Sequence, residues 1–194
     1  MKKIAAALLL STAIAAPAFA ADSGVYVGVD AGLAYTQSPY QGTAATNTSA
    51  QSSNAGVQLG YQFDKNWGVE LFYTGAGKYT GTVGTNTSVL QSDAWGVNAV
   101  GTLPVSNDFS LYARLGAAST YTRLSNSVAS TFAAASRAGL TYGLGVQYNV
   151  TPAIGVRLGM DAYGLATTNA PGTATGSTQN FTSTVTSLGA VFKF

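Results

Sequence analysis

The chain has 194 residues, with 9 basic against 7 acidic, and contains no cysteine and no histidine. Charged residues make up only 8%, far below the ~25% of soluble domains. No basic patch suggests nucleic-acid binding. Missing thiols and imidazoles exclude disulfides, thiolate or His-ligated metal sites, and Ser-His or Cys-His nucleophiles.

Residues 1–20 read as a secretory signal peptide. Lys2 and Lys3 form its positive start, and Ile4 to Leu10 begin a short apolar stretch. Pro17 precedes Ala18-Phe19-Ala20, a small-x-small site that puts cleavage after Ala20. The remaining 174 residues, 21–194, are expected to form one domain with seven charges of each sign. No mature stretch approaches the ~20 consecutive apolar residues of a transmembrane helix. The other way to cross a bilayer with every backbone group paired is a closed barrel.

The periodicity supports that architecture. Val25, Val27, Val29, Ala31, Leu33 and Tyr35 share one face, against Gly28, Asp30, Gly32 and Ala34. Val57, Leu59, Tyr61 and Phe63 repeat the pattern, and after Asp64-Lys65-Asn66 it resumes at Trp67, Val69, Leu71 and Tyr73, with Glu70 opposed. Trp95 to Leu103 alternate up to the turn at Pro104–Asp108, and Phe109 to Ala117 follow, with Tyr112 and Arg114 on the other face. Leu140 to Tyr148 lead through a turn containing Thr151-Pro152 to Ile154, Val156, Leu158, Met160 and Ala162, which oppose Arg157 and Asp161. Thr184 to Phe194 close the series, with Leu188, Ala190, Phe192 and Phe194 on one side.

These eight runs alternate apolar with small or polar residues over about ten positions, as barrel strands do. Three short turns alternate with four longer Thr/Ser/Asn/Ala/Gly-rich connections, near 36–53, 75–89, 122–136 and 167–182. The expected fold is therefore an all-β, eight-stranded antiparallel up-and-down transmembrane barrel with short periplasmic turns and four longer extracellular loops. Aromatic girdles are expected from Phe63, Trp67, Phe109, Tyr148, Phe192 and Phe194 at the turn ends, and from Tyr35, Tyr73, Trp95 and Tyr121 near the loop ends.

Strand parity also sorts the charges. Asp30, Glu70, Arg114, Arg157 and Asp161 fall mid-strand opposite the apolar stripe, and Arg137 falls there near a strand's outer end. Facing lipid at the midplane, each arginine would cost about 2–4 kcal/mol. Facing inward, three acids can neutralise three arginines. An eight-stranded barrel is only wide enough for side chains, so a packed polar lumen is expected rather than an open channel.

Together, the leader, the eight runs and the ending Leu188-Gly189-Ala190-Val191-Phe192-Lys193-Phe194 resemble the small outer-membrane barrels of Gram-negative bacteria. Among these, the OmpA-type transmembrane domain and the OmpX/Ail-like group are similar in plan. Tyr142 to Pro152 is similar to the hairpin entering the seventh strand of OmpA-like barrels. The resemblance implies that Phe194, with Phe192, Ala190 and Leu188 behind it, is the signal read by the barrel-assembly machinery. It also implies an interior acid–arginine network, with Glu70, Arg114 and Arg157 in that role. OmpA proper continues into a peptidoglycan-binding domain, whereas this sequence stops at the barrel, so a cell-wall tether is not expected.

The expected role is structural or surface-interacting: envelope integrity, or adhesion through the loops. The alternative is a narrow porin-like channel, for which the inward glycines Gly28, Gly32, Gly60, Gly143, Gly145, Gly155 and Gly159 would leave some room. Enzymatic activity and a cofactor are not expected, since a histidine-based site cannot be built and no paired acids stand at useful spacing. The expected surroundings are outer-membrane lipid and lipopolysaccharide, the assembly machinery during insertion, and a host or surface ligand at the loops.

Overall fold

A computed structural model describes residues 23–36, 46–49, 51–83, 86–126, 133–168 and 178–194. The expected leader 1–20 and parts of all four longer connections lie outside the described residues.

Nine strand segments follow one another: β1 (Gly24–Thr36), β2 (Thr46–Ser49), β3 (Gln51–Gln62), β4 (Trp67–Val83), β5 (Asn86–Pro104), β6 (Phe109–Asn126), β7 (Ala133–Asn149), β8 (Ile154–Thr168) and β9 (Thr178–Lys193). The segments β2 and β3 are successive pieces of one stave, both pairing with β4. Every ladder is antiparallel, and β1 closes the circle by pairing β3 on one side and β9 on the other. The result is a closed eight-stranded barrel.

Period-two patterning decides which way each side chain faces. Along β3, exposed Val57, Leu59 and Tyr61 alternate with buried Gly56, Gln58 and Gly60. Three turns join staves at one end, and each begins with a polar side chain that accepts a backbone N–H. Asp64 Oδ1 accepts from Asn66 and Trp67 at 2.7 and 2.8 Å. Ser106 Oγ accepts from Phe109 at 3.1 Å, and Thr151 Oγ1 from Ile154 at 3.0 Å. These Asx- and Ser/Thr-type turns explain why strands stop there.

At the other end the strands run further than the hydropathy suggested. Much of the 75–89 connection is the hairpin of β4 and β5, paired up to Val83↔Asn86. Likewise β6 continues to Asn126 and β8 to Thr168. Backbone pairing needs no apolar alternation, and above the apolar band the pattern fades while the Thr-rich, β-favouring chain stays extended.

Two ladders stop early. The β7–β8 ladder ends at Thr141↔Tyr163, although both strands continue. The β3–β4 ladder ends at Gly56↔Thr74, just before β4 shifts register between Gly75 and Gly77, where Gly77 takes a left-handed φ of 127°. Side chains bridge both gaps. Asn54 Nδ2 donates to Thr74 Oγ1 and to the Gly75 carbonyl at 2.8 and 2.7 Å. Thr120 Oγ1 lies 3.1 Å from the Arg137 carbonyl and 3.2 Å from that of Gly164, spanning β7 and β8.

The β3–β4 gap is local, because the same stave pairs with β4 again through β2 at Ser49↔Thr80 and Thr46↔Thr82. Across the interior at the loop end lies one apolar cluster. Phe72, Ala76, Leu90, Ala94 and Ala118 come from β4, β5 and β6; Ala34, Tyr163, Leu165 and Val185 come from β1, β8 and β9.

Candidate functional site

Below the apolar cluster lies a layer of charge. Glu70 on β4, Arg114 on β6, and Arg157 and Asp161 on β8 all point inward and are buried. Arg114 Nη1 stands 3.0 Å from Asp161 Oδ2, and Arg157 Nη1 stands 3.0 Å from Glu70 Oε2. Arg114 Nε is 3.2 Å from Glu70 Oε1, but neither atom is in hydrogen-bonding geometry. That contact is Coulombic only.

Neutral partners complete the layer. Tyr26 Oη donates to Glu70 Oε2 at 3.0 Å, and Arg157 Nε donates to Gln147 Oε1 at 2.7 Å. The Arg114 guanidinium sits 4.8 Å from the Tyr112 ring centroid, and that of Arg157 lies 5.0 Å from Tyr26 and 5.2 Å from Tyr112. Two acids face two arginines, so the layer is neutral. Balanced pairing of this kind is what permits burial of charge.

Two of the six residues read as lumen charges stand apart from these ion pairs. Asp30 is half-buried and accepts a hydrogen bond from Gln58 Nε2. Arg137 donates from Nη1 to the Leu165 carbonyl at 3.1 Å. Among the described residues no carboxylate lies within ion-pairing distance of it. Its position, where β7 and β8 part, makes it a bridge between strands rather than a member of the charge layer. Strand parity carried no information on height or on the broken ladder.

The inward glycines are covered. A methyl group at Gly60 would overlap the Tyr26 ring, and one at Gly159 the Tyr112 hydroxyl. The two tyrosines occupy the room those glycines leave. Voids of about 10 Å³ remain on either side of Arg114, one reaching Glu70 and Asp161 and the other Arg157. Each has space for about one water. Tyr26 and the apolar cluster other than Ala34 are the interior residues that sequence reasoning passed over. All were reachable by extending the same period-two count to uncharged positions.

The aromatic residues expected in the girdles face outward. Trp67 and Trp95 are about 60% exposed, at 60% and 61%. Tyr35, Phe63, Tyr73, Tyr121 and Tyr148 are also exposed, and Phe109 is half-buried. Tyr73 pairs across strands with Trp95, and Phe109 with Tyr148. Twelve residues separate Phe109 from Tyr121 on β6, roughly 40 Å of strand at ~3.4 Å per residue. At a tilt of ~40° this spans about 30 Å of barrel height, enough for an apolar band ~25 Å tall. On β9, Leu188 and Phe192 are exposed, Ala190 is half-buried, and the Phe194 amide donates to the Val25 carbonyl at 2.9 Å.

Such a closed barrel, apolar outside and charge-paired within, is built to sit in lipid. Residues 6–194 match the outer membrane protein beta-barrel domain family. The chain belongs to that family. It is an outer-membrane β-barrel protein located in the cell outer membrane. Solved structures share the fold at low identity. Neisserial surface protein A matches with a TM-score of 0.62 and 20% identity, covering 89% of this chain and 99% of that one. OprG of Pseudomonas aeruginosa matches at 0.57 and 14%, covering 89% and 97%. Ail of Yersinia pestis, in complex with the heparin analogue sucrose octasulfate, matches at 0.53 and 17%, covering 89% and 97%. No curated protein sequence matches the chain.

Proposed function

We propose that this barrel is a sealed, non-enzymatic scaffold that carries extended β-structure beyond the outer membrane for contact with surfaces or soluble ligands. The observation that carries the reading is the lumen itself. A neutral ion-pair layer and an apolar cluster are stacked in series, with voids of about 10 Å³ flanking Arg114. A conducting path needs continuous water, and an eight-stranded interior filled by side chains does not supply one.

The display role has separate support. Strands β4, β5 and β6 continue past the Tyr73–Trp95 pair, so the loop end is a built surface rather than slack chain. On that extension Lys78, Gln91 and Arg123 lie in register across three strands and are exposed. Two cations flanking an amide suit sulfated or phosphorylated polymers, with Arg123 also 4.0 Å from Asp93. The barrel fold has been captured with a polyanion in the Ail complex.

Planar-bilayer recording of the refolded mature protein tests the sealed lumen. Silence from correctly folded, heat-modifiable protein is the expected result. Steady single-channel openings would replace this reading with a narrow ion or solute channel.

A further inference from the structure

A cavity of about 260 Å³ opens at the turn end, on the periplasmic side, and is independent of whether the lumen conducts. Its floor is made by Tyr26, Ser110 and Gln147, all buried, with the ion-pair layer behind them. Lys193, half-buried on β9, and Lys65, in the β3–β4 turn, line the walls. No aspartate or glutamate side chain is among the lining residues; the one carboxylate there is the terminal group of Phe194, which is ion-paired with neither lysine among the described residues.

The polar groups here form a chain with a direction. Arg157 Nε donates to Gln147 Oε1, Gln147 Nε2 donates to Asn149 Oδ1 at 2.7 Å, and Lys193 Nζ donates to the same oxygen at 3.2 Å. Asn149 Oδ1 therefore accepts from two donors. Among the described residues Lys193 has only this neutral acceptor, and neither Lys193 nor Lys65 is ion-paired. A half-buried ammonium that is held by an amide oxygen and open to a cavity gains a stronger, charge-assisted bond when an anion arrives.

We propose that this vestibule is a binding site for an anionic periplasmic group, a carboxylate or a phosphate, held by Lys193 with Lys65 at the rim. Hydroxyl and amide groups of Ser110, Gln147 and Asn149 supply the neutral hydrogen bonds that orient it. The site faces away from the loops, so it serves a partner on the opposite side of the membrane from any surface ligand.

The test uses the whole mature chain in phosphatidylcholine nanodiscs, with backbone amide NMR shifts of Asn149 and Lys193 as the readout. Inorganic phosphate and a tri-aspartate peptide are titrated separately at constant ionic strength. Saturable shifts are expected with at least one probe, and the probe that saturates identifies the source as phosphate or carboxylate. Loss of a charge-assisted hydrogen bond should weaken binding by about tenfold in Lys193→Gln. Lys65→Gln, outside any strand, should weaken it by roughly two- to threefold, as befits an exposed charge, and gives the answer if Lys193→Gln folds poorly. Linear, non-saturating shifts with both probes would overturn the proposal. So would saturation that neither substitution weakens.

Discussion

The two halves of the lumen solve the same problem with opposite chemistry. In the turn-side half the wall is a continuous barrel, and the space is filled by charges that neutralise one another, propped by tyrosines over glycines. In the loop-side half two ladders are interrupted, and alanines, Phe72, Leu90, Leu165 and Val185 fill the interior. A closed wall sets the interior radius, so long polar side chains reach across it in the first half. In the second, small and apolar side chains meet instead. The difference predicts that the first half fails through uncompensated charge and the second through cavities.

The largest effect is expected from Arg114→Ala, which leaves Glu70 with one cation fewer and Asp161 with no ion-pair partner among the described residues. Stripping one partner from a buried network costs about 3–5 kcal/mol, measurable by urea unfolding of the refolded barrel. The double change Arg114→Leu with Asp161→Asn keeps Glu70 paired with Arg157, leaves the layer neutral, and should recover much of that loss. If it recovers nothing, the layer stabilises by something other than charge balance. In the apolar half, Leu165→Ala should cost about 2–4 kcal/mol, within the range for core truncations. A negligible cost there would mean that the neighbouring strands close over the space.

Smaller effects test the joint between the halves. Arg137→Ala removes a charged donor to the Leu165 carbonyl where the β7–β8 ladder has ended. A loss of about 1.5–3 kcal/mol is expected for such a bond, with faster amide exchange concentrated in β8 beyond Tyr163. Uniform exchange across the barrel would contradict the bridging role. Arg123→Ala should change stability by less than about 1 kcal/mol, because Arg123 is exposed and its pair with Asp93 is long, at 4.0 Å.

How much of this was legible in the sequence differs between the halves for a physical reason. The turn-side half is written in alternation: one lipid-facing residue, one inward residue, and turns marked by Asp64, Ser106 and Thr151. Charges on the inward phase, such as Glu70 and Arg157, announce themselves because lipid forbids the alternative. Leu90 and Leu165 occupy the same inward phase, yet nothing marks an apolar residue there as part of a plug. Equating inward with polar hid them. The broken ladders were hidden as well, since hydrogen-bond register above the bilayer leaves no hydropathy trace. Arg137 shows the consequence: its partner was not readable.

The central claim is that the lumen is sealed twice. Single-channel recording in planar bilayers tests it most directly, comparing wild type, Arg114→Ala alone, and Arg114→Ala combined with Phe72→Ala and Leu165→Ala. Two independent seals predict silence from wild type and from the single variant, and openings only when the apolar cluster is also cut away. Steady openings from Arg114→Ala alone would show that the ion-pair layer is the one barrier and that the apolar half does not close the barrel.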